Sequence, residues 1–153
     1  MTRLAYITTA GMSARYLLAG QLAFMQRSGF DVTLFCAGGA DLDLVAQREN
    51  VRVIAIPFER EVAPLRDLRA LWRLVIELRR VRPDVVNAGT PKAALLGMIA
   101  SALLRVPVRI YTLRGLRSET ARGVRRFVLE QLERLTAALA HRVVCVSASL
   151  RET

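Results

Sequence analysis

The chain is poor in the residues that most often build a metal or redox centre. It has one histidine, His141, and two cysteines, Cys36 and Cys145, among 153 residues. One imidazole leaves no second histidine for a zinc site, and no CxxC or Cys/His cluster occurs, so no metal is expected. Both cysteines fall in apolar runs that read as strands and are expected to be buried, reduced thiols; His141, near a helix end, reads as structural. The GxGxxG spacing of dinucleotide binders and the Walker lysine pattern are both missing, which argues against NAD and ATP, and no cofactor is expected. Aromatic residues make up 6% of the chain and no nucleic-acid motif occurs, so no nucleic-acid partner is expected despite the charge. Long apolar stretches are also lacking. The longest uncharged run, Ala93 to Leu104, lies between Lys92 and Arg105, short of the ~20 residues of a membrane-spanning helix. Leu4-Ala5-Tyr6-Ile7 is shorter than the ~7–15 residues of a secretory signal's apolar region. The expectation is a cytosolic protein.

What remains is a globular balance: 53% hydrophobic and 24% charged residues, unlike the compositions of disordered chains. A chain of this length buries roughly 70% of its unfolded surface, enough for one core. Charge is one-sided, with 23 basic against 13 acidic residues and a net +10, and every basic residue but Lys92 is arginine. Such an excess attracts phospholipid headgroups, diphosphates or nucleic acid, and charge alone does not choose among them.

Short β-branched or aromatic runs recur at residues 3–8, 31–36, 51–56, 84–87, 106–112 and 142–146, separated by segments of helical period. Strand–helix alternation predicts a Rossmann-like, doubly wound parallel α/β sheet of about six strands, with ligands at the carboxyl ends of the strands. Helices are expected at about 14–27, stopped by Ser28-Gly29; at 42–49; at 65–82, ended by Pro83; at 92–104; and at 123–140. The third places Leu68, Leu71, Trp72, Val75 and Leu78 on one face and Arg66, Arg69, Arg73 and Arg80 on the other. The arginine stripe suits either an anionic membrane surface or a plain solvated helix face.

Three loops stand out chemically. After the first strand, backbone amides near Gly11 face either an anion at a helix N-terminus or nothing more than an ordinary turn. Asn87-Ala-Gly-Thr-Pro-Lys92 joins a permissive glycine, a helix-starting proline and a lysine in the first helical turn. A cation there opposes the helix dipole, so Lys92 calls for a nearby anion or carboxylate, with a structural salt bridge as the alternative. After the fifth strand, Arg114, Arg117, Glu119, Arg122, Arg125 and Arg126 form a basic cluster that suits an anionic ligand or a solvated helix start.

Five segments stand out by their order and spacing: Gly20-Gln-Leu-Ala-Phe-Met-Gln-Arg-Ser-Gly29, Pro57-Phe-Glu-Arg-Glu61 with Asp67-Leu-Arg-Ala-Leu-Trp72, Thr90-Pro-Lys-Ala-Ala94, Arg109-Ile-Tyr-Thr-Leu-Arg-Gly-Leu116 and Arg142-Val-Val-Cys-Val-Ser147. In that order they resemble the N-terminal domain of bacterial family-4, GT-B glycosyltransferases of capsule, exopolysaccharide and lipopolysaccharide assembly. The resemblance spans the whole chain. It implies a retaining transfer from a nucleotide-sugar to a polyprenyl-diphosphate-linked saccharide at the inner membrane leaflet. Gly11 would face the donor diphosphate, and Thr90, Lys92, Arg114, Arg117 and Glu119 would line the acceptor side; Arg66, Arg69, Arg73 and Arg80 would meet the membrane. Relatives often carry histidine where this chain has Gly89 and Arg114, so the resemblance assigns no catalytic residue. It also implies that residues 1–153 are one acceptor-side domain, that the donor is held mainly by a C-terminal domain absent from this chain, and that the chain alone is inactive. A GT-B-type nucleotide-sugar epimerase half and a non-catalytic basic module for membrane surfaces are the alternatives.

Overall fold

The computed structural model describes residues 1–59, 61, 63–115 and 121–151. In chain order the elements are β1 (Thr2–Ile7), α1 (Gly11–Leu17), α2 (Gln21–Arg27), β2 (Phe30–Cys36), α3 (Ala40–Glu49), β3 (Arg52–Ala55), α4 (Pro64–Val81), β4 (Val85–Ala88), α5 (Pro91–Leu103), β5 (Val108–Leu113), α6 (Gly123–Leu139), β6 (Arg142–Cys145) and the single turn α7 (Ala148–Arg151). All six strands are parallel, in the order β3-β2-β1-β4-β5-β6. The predicted doubly wound sheet is therefore present, and its order reverses between β1 and β4, where such sheets open a crevice at their carboxyl edge.

Central strands buried on both faces need continuous apolar sequence, and Leu4 to Ile7 supplies it. Alternate residues divide between two cores. Ile7, Phe35, Val86 and Ala88 pack with α4 and α5, while Leu4, Tyr6, Val32 and Leu34 pack with Ala14, Leu22 and Val45. Helix α5 can lie directly on the sheet because it is lined with small residues. A Cβ on Gly97 would stand 2.9 Å from Ile7 Cδ1 and 3.3 Å from the Ala88 Cβ.

Three expectations are corrected. The helix read as continuous from 14 to 27 breaks into α1 and α2, with Gly20 at φ 73°. The break is held by Glu49, at the end of α3, which accepts the backbone N–H groups of Gly20 (2.9 Å) and Ala23 (3.1 Å) and so caps α2 from outside. Helix α4 is rotated from the expected orientation: its buried residues are Ala70, Leu74, Glu77 and Leu78, while Leu68 and Trp72 are 63% and 68% exposed. Finally, Cys36 is buried, but Cys145 is only half-buried, near the sheet edge. His141 serves the β5–β6 junction: its backbone N–H donates to Arg109 O (2.8 Å), and its Nδ1 accepts the Arg109 N–H (3.2 Å). Among the described residues no helix is long and apolar enough to cross a membrane.

Candidate functional site

The loops after β1, β4 and β5 meet at the reversal of the sheet. Thr90 is the N-cap of α5 and Pro91 its first residue, but the Thr90 hydroxyl does not cap its own helix. It accepts the Thr9 backbone N–H at 2.9 Å and lies 2.7 Å from the Thr9 hydroxyl. The first loop is thereby pinned to the fourth, and the backbone amides at the start of α5 have no side-chain cap. Uncapped amides at a helix N-terminus favour negative charge.

Beside this junction a row of polar side chains emerges from neighbouring strands. Tyr6 and Asn87 are register partners across β1 and β4. Thr112 donates its hydroxyl proton to Asn87 Oδ1 (2.8 Å), and Gln21 Nε2 donates to the Tyr6 hydroxyl (3.2 Å). Burial raises the Tyr6 phenol above its usual range, opposed by hydrogen bonding with Gln21 and Asn87 and by the charge of Arg114. Arg114, two residues beyond Thr112, is half-buried and makes no ion pair with a described residue. It occupies space left by Gly89, where a Cβ would stand 3.3 Å from Arg114 Nε. The absence of a side chain at 89 and the presence of an arginine at 114 are one steric arrangement.

Lys92 points elsewhere. Its ammonium lies 2.7 Å from Asp67 Oδ1 and also donates to the Glu61 carbonyl; the Lys92 side chain is 10% exposed. Asp67 Oδ2 in turn accepts the Ala63 N–H (3.1 Å) at the start of α4. The carboxylate that the sequence called for is therefore Asp67, and the pair ties α4 to α5. It borders a cleft of about 230 Å³ lined by Pro64, Leu95, Leu96, Tyr111, Leu129 and Leu132. Tyr111 is pushed up to about 12, chiefly by burial and also by the negative charge of Glu133.

Gly11 opens α1, and its lack of a side chain is required by packing: a Cβ would fall 2.9 Å from the Asp41 Cβ and 3.1 Å from Leu42 N on α3. Arg66, Arg69, Arg73 and Arg80 are exposed on α4, as expected. Arg66 pairs with Glu59 (2.7 Å), and Arg73 (2.8 Å) and Arg80 (3.0 Å) share the nearly buried Glu77. Arg117 and Glu119 lie outside the described residues. The structure thus joins Thr90 and Arg114 at the edge of the sheet, buries Lys92 against Asp67 between α4 and α5, and leaves the α4 arginines exposed. Thr9, Tyr6, Gln21 and Thr112 were not singled out from sequence. For Thr9, Tyr6 and Thr112 the available signal was positional, since each sits at or near a carboxyl strand end; Gln21, the first residue of α2, carried no such signal.

Comparison with known proteins completes the picture. Residues 12–153 match the family described as glycosyl transferase 4-like domain. The chain is similar to the capsular polysaccharide biosynthesis glycosyltransferase CapM of Staphylococcus aureus, with 36% identity over 88% of this chain and 35% of that protein. It is also similar to the UDP-Gal:alpha-D-GlcNAc-diphosphoundecaprenol alpha-1,3-galactosyltransferase of Escherichia coli, with 29% identity over 76% of this chain and 30% of that protein. The chain therefore spans about a third of the length of these relatives. Among solved structures, a UDP-N-acetylglucosamine 2-epimerase superposes with a TM-score of 0.74 at 17% identity, covering 99% of this chain and 43% of that one. At that identity the likeness is one of fold.

Proposed function

The chain belongs to the glycosyl transferase 4-like family, and from that premise we propose that it is the acceptor-side domain of a retaining glycosyltransferase. The enzyme moves a sugar from a nucleotide-sugar to a polyprenyl-diphosphate-linked saccharide in bacterial surface-polysaccharide assembly. The observation that carries this reading is the junction at the sheet reversal, where the start of α5, which has no side-chain cap, Thr90 and a half-buried Arg114 that forms no ion pair with a described residue surround one point. Arginine and backbone amides are the donors that suit a diphosphate. The E. coli relative's name specifies a diphosphoundecaprenol acceptor, which is the chemistry this set would bind.

In this reading Thr90 and Arg114 line the acceptor side, Gly11 stands nearest the donor, and Lys92 acts through Asp67 by fixing the start of α5. Donor binding belongs to a second domain, so residues 1–153 alone transfer no sugar. The arginines of α4 bring the domain to the anionic inner leaflet, where each basic residue near the surface contributes about 1 kcal/mol. The protein works as a peripheral membrane protein on the cytoplasmic side.

The test is product analysis with the chain extended to a two-domain protein. Transfer to a polyprenyl-diphosphate saccharide with retention of the donor's anomeric configuration is expected. A free 2-epimer of the donor and no transfer would establish the epimerase reading instead.

A further inference from the structure

We propose that the cleft between α4, α5 and α6 holds the first part of the acceptor lipid's hydrocarbon chain. This rests on the lipid-linked acceptor reading above and adds where the chain goes.

Leu95 and Leu96 of α5 and Tyr111 of β5 line the cleft, with Pro64 of α4 on one side and Leu129 and Leu132 of α6 on the other. Its volume, about 230 Å³, is below the ~300–1,000 Å³ of sites that enclose a whole small molecule, and suits a segment of a chain. Apart from the Tyr111 hydroxyl, the polar side chains around it are already engaged. Lys92 is paired with Asp67, the Thr136 hydroxyl donates to Leu132 O at 2.7 Å, and Glu133 has partners of its own. What the cleft offers an occupant is apolar surface.

Both walls continue outward as apolar stripes. On α4, Leu65, Leu68 and Trp72 are exposed at helical spacing, and Leu68 lies one turn beyond Pro64 on the same face. On α6, Val124, Val128, Leu132 and Leu135 are exposed in the same manner, and Leu132 belongs to both stripe and cleft. Apolar surface of this kind marks an interaction site. A bilayer matches what surrounds it: tryptophan favours the water–hydrocarbon boundary, and Arg66, Arg69 and Arg73 beside the α4 stripe attract anionic headgroups. A helix whose exposed surface sets arginines next to Leu65, Leu68 and Trp72 has the composition of an interfacial helix.

Two measurements on the 153-residue chain test this. Calorimetric titration compares inorganic diphosphate with geranyl diphosphate, which share a headgroup chemistry and differ in the chain. Geranyl diphosphate is expected to bind about 10-fold more tightly, a difference of about 1.4 kcal/mol. Leu132→Glu at the mouth and Leu129→Phe within the cleft should each remove most of that preference while leaving diphosphate affinity and the thermal midpoint close to wild type. Equal affinity for the two ligands would overturn the cleft assignment and leave the diphosphate reading standing; binding of neither would defeat both. A preference that survives in both folded variants would place the chain elsewhere and overturn the proposal. In the second measurement, the emission of Trp72, the only tryptophan, should shift to the blue with phosphatidylglycerol vesicles. No shift, or a shift that follows protein concentration without vesicles and accompanies dimerisation, would overturn the membrane-facing arrangement.

Discussion

Gly89 and Arg114 occupy one space: the guanidinium Nε of Arg114 stands 3.3 Å from where a Cβ on residue 89 would be. An arginine can lie at this point of the sheet edge because glycine precedes Thr90. Gly89→Val should displace the guanidinium and lower affinity for inorganic diphosphate by about 10-fold, in keeping with the ~1.5–3 kcal/mol of a hydrogen bond to a charged group. Arg114→Ala should cost the same, and the double variant no more than either, since both remove one interaction. Additive losses in titration would show that the two residues act separately.

Lys92 and Asp67 form a nearly buried pair across α4 and α5. Lys92→Met leaves the Asp67 carboxylate without its cation, and a loss of about 2–4 kcal/mol in urea unfolding is expected. Lys92→Met/Asp67→Asn should recover part of it. If Lys92→Met unfolds like wild type but loses diphosphate binding, the lysine meets ligand directly.

Glu49 supplies the pH dependence. Burial alone would raise its carboxyl, but the Gly20 and Ala23 amides and Arg48 outweigh that and hold it below its usual range. A depressed folded-state pKa contributes stability that is present above the unfolded value of about 4.3 and lost as pH falls through the folded value. Wild type should therefore lose stability below about pH 4–5 more steeply than Glu49→Gln. At neutral pH the variant should be less stable by about 1–3 kcal/mol. Parallel unfolding curves against pH would remove Glu49 from this role.

Gly11→Ala separates packing from ligand binding at the first loop. Its Cβ would meet the backbone of α3 at 3.1 Å, and overpacking of this kind costs about 1–3 kcal/mol. A lower thermal midpoint is expected. An unchanged midpoint would mean that α1 and α3 separate easily, and that the glycine there serves something other than close approach.

The fold was legible because its signals are local. Runs such as Leu4–Ile7 and Val32–Cys36 have the composition of strands buried on both faces, and Pro83 and Ser28-Gly29 mark helix ends. Alternation of the two element types then leaves few topologies. The positions of these loops were legible too: Thr90 and Arg114 were read as following the fourth and fifth strands, and they follow β4 and β5. The rest depends on partners distant in the chain. The break before α2 needs the carboxylate of Glu49, 29 residues from Gly20; the periodicity of residues 14–27 is the same with or without it.

The sequence by itself determined the parallel α/β sheet, the strand ends that gather the loops and the arginine-rich surface, because propensity, periodicity and charge act over one or two helical turns. Only the tertiary structure decided which way α4 faces, that Lys92 meets Asp67, and that Arg114 fills the space at Gly89. Each of these is a contact between separate elements, fixed by how the helices pack on the sheet.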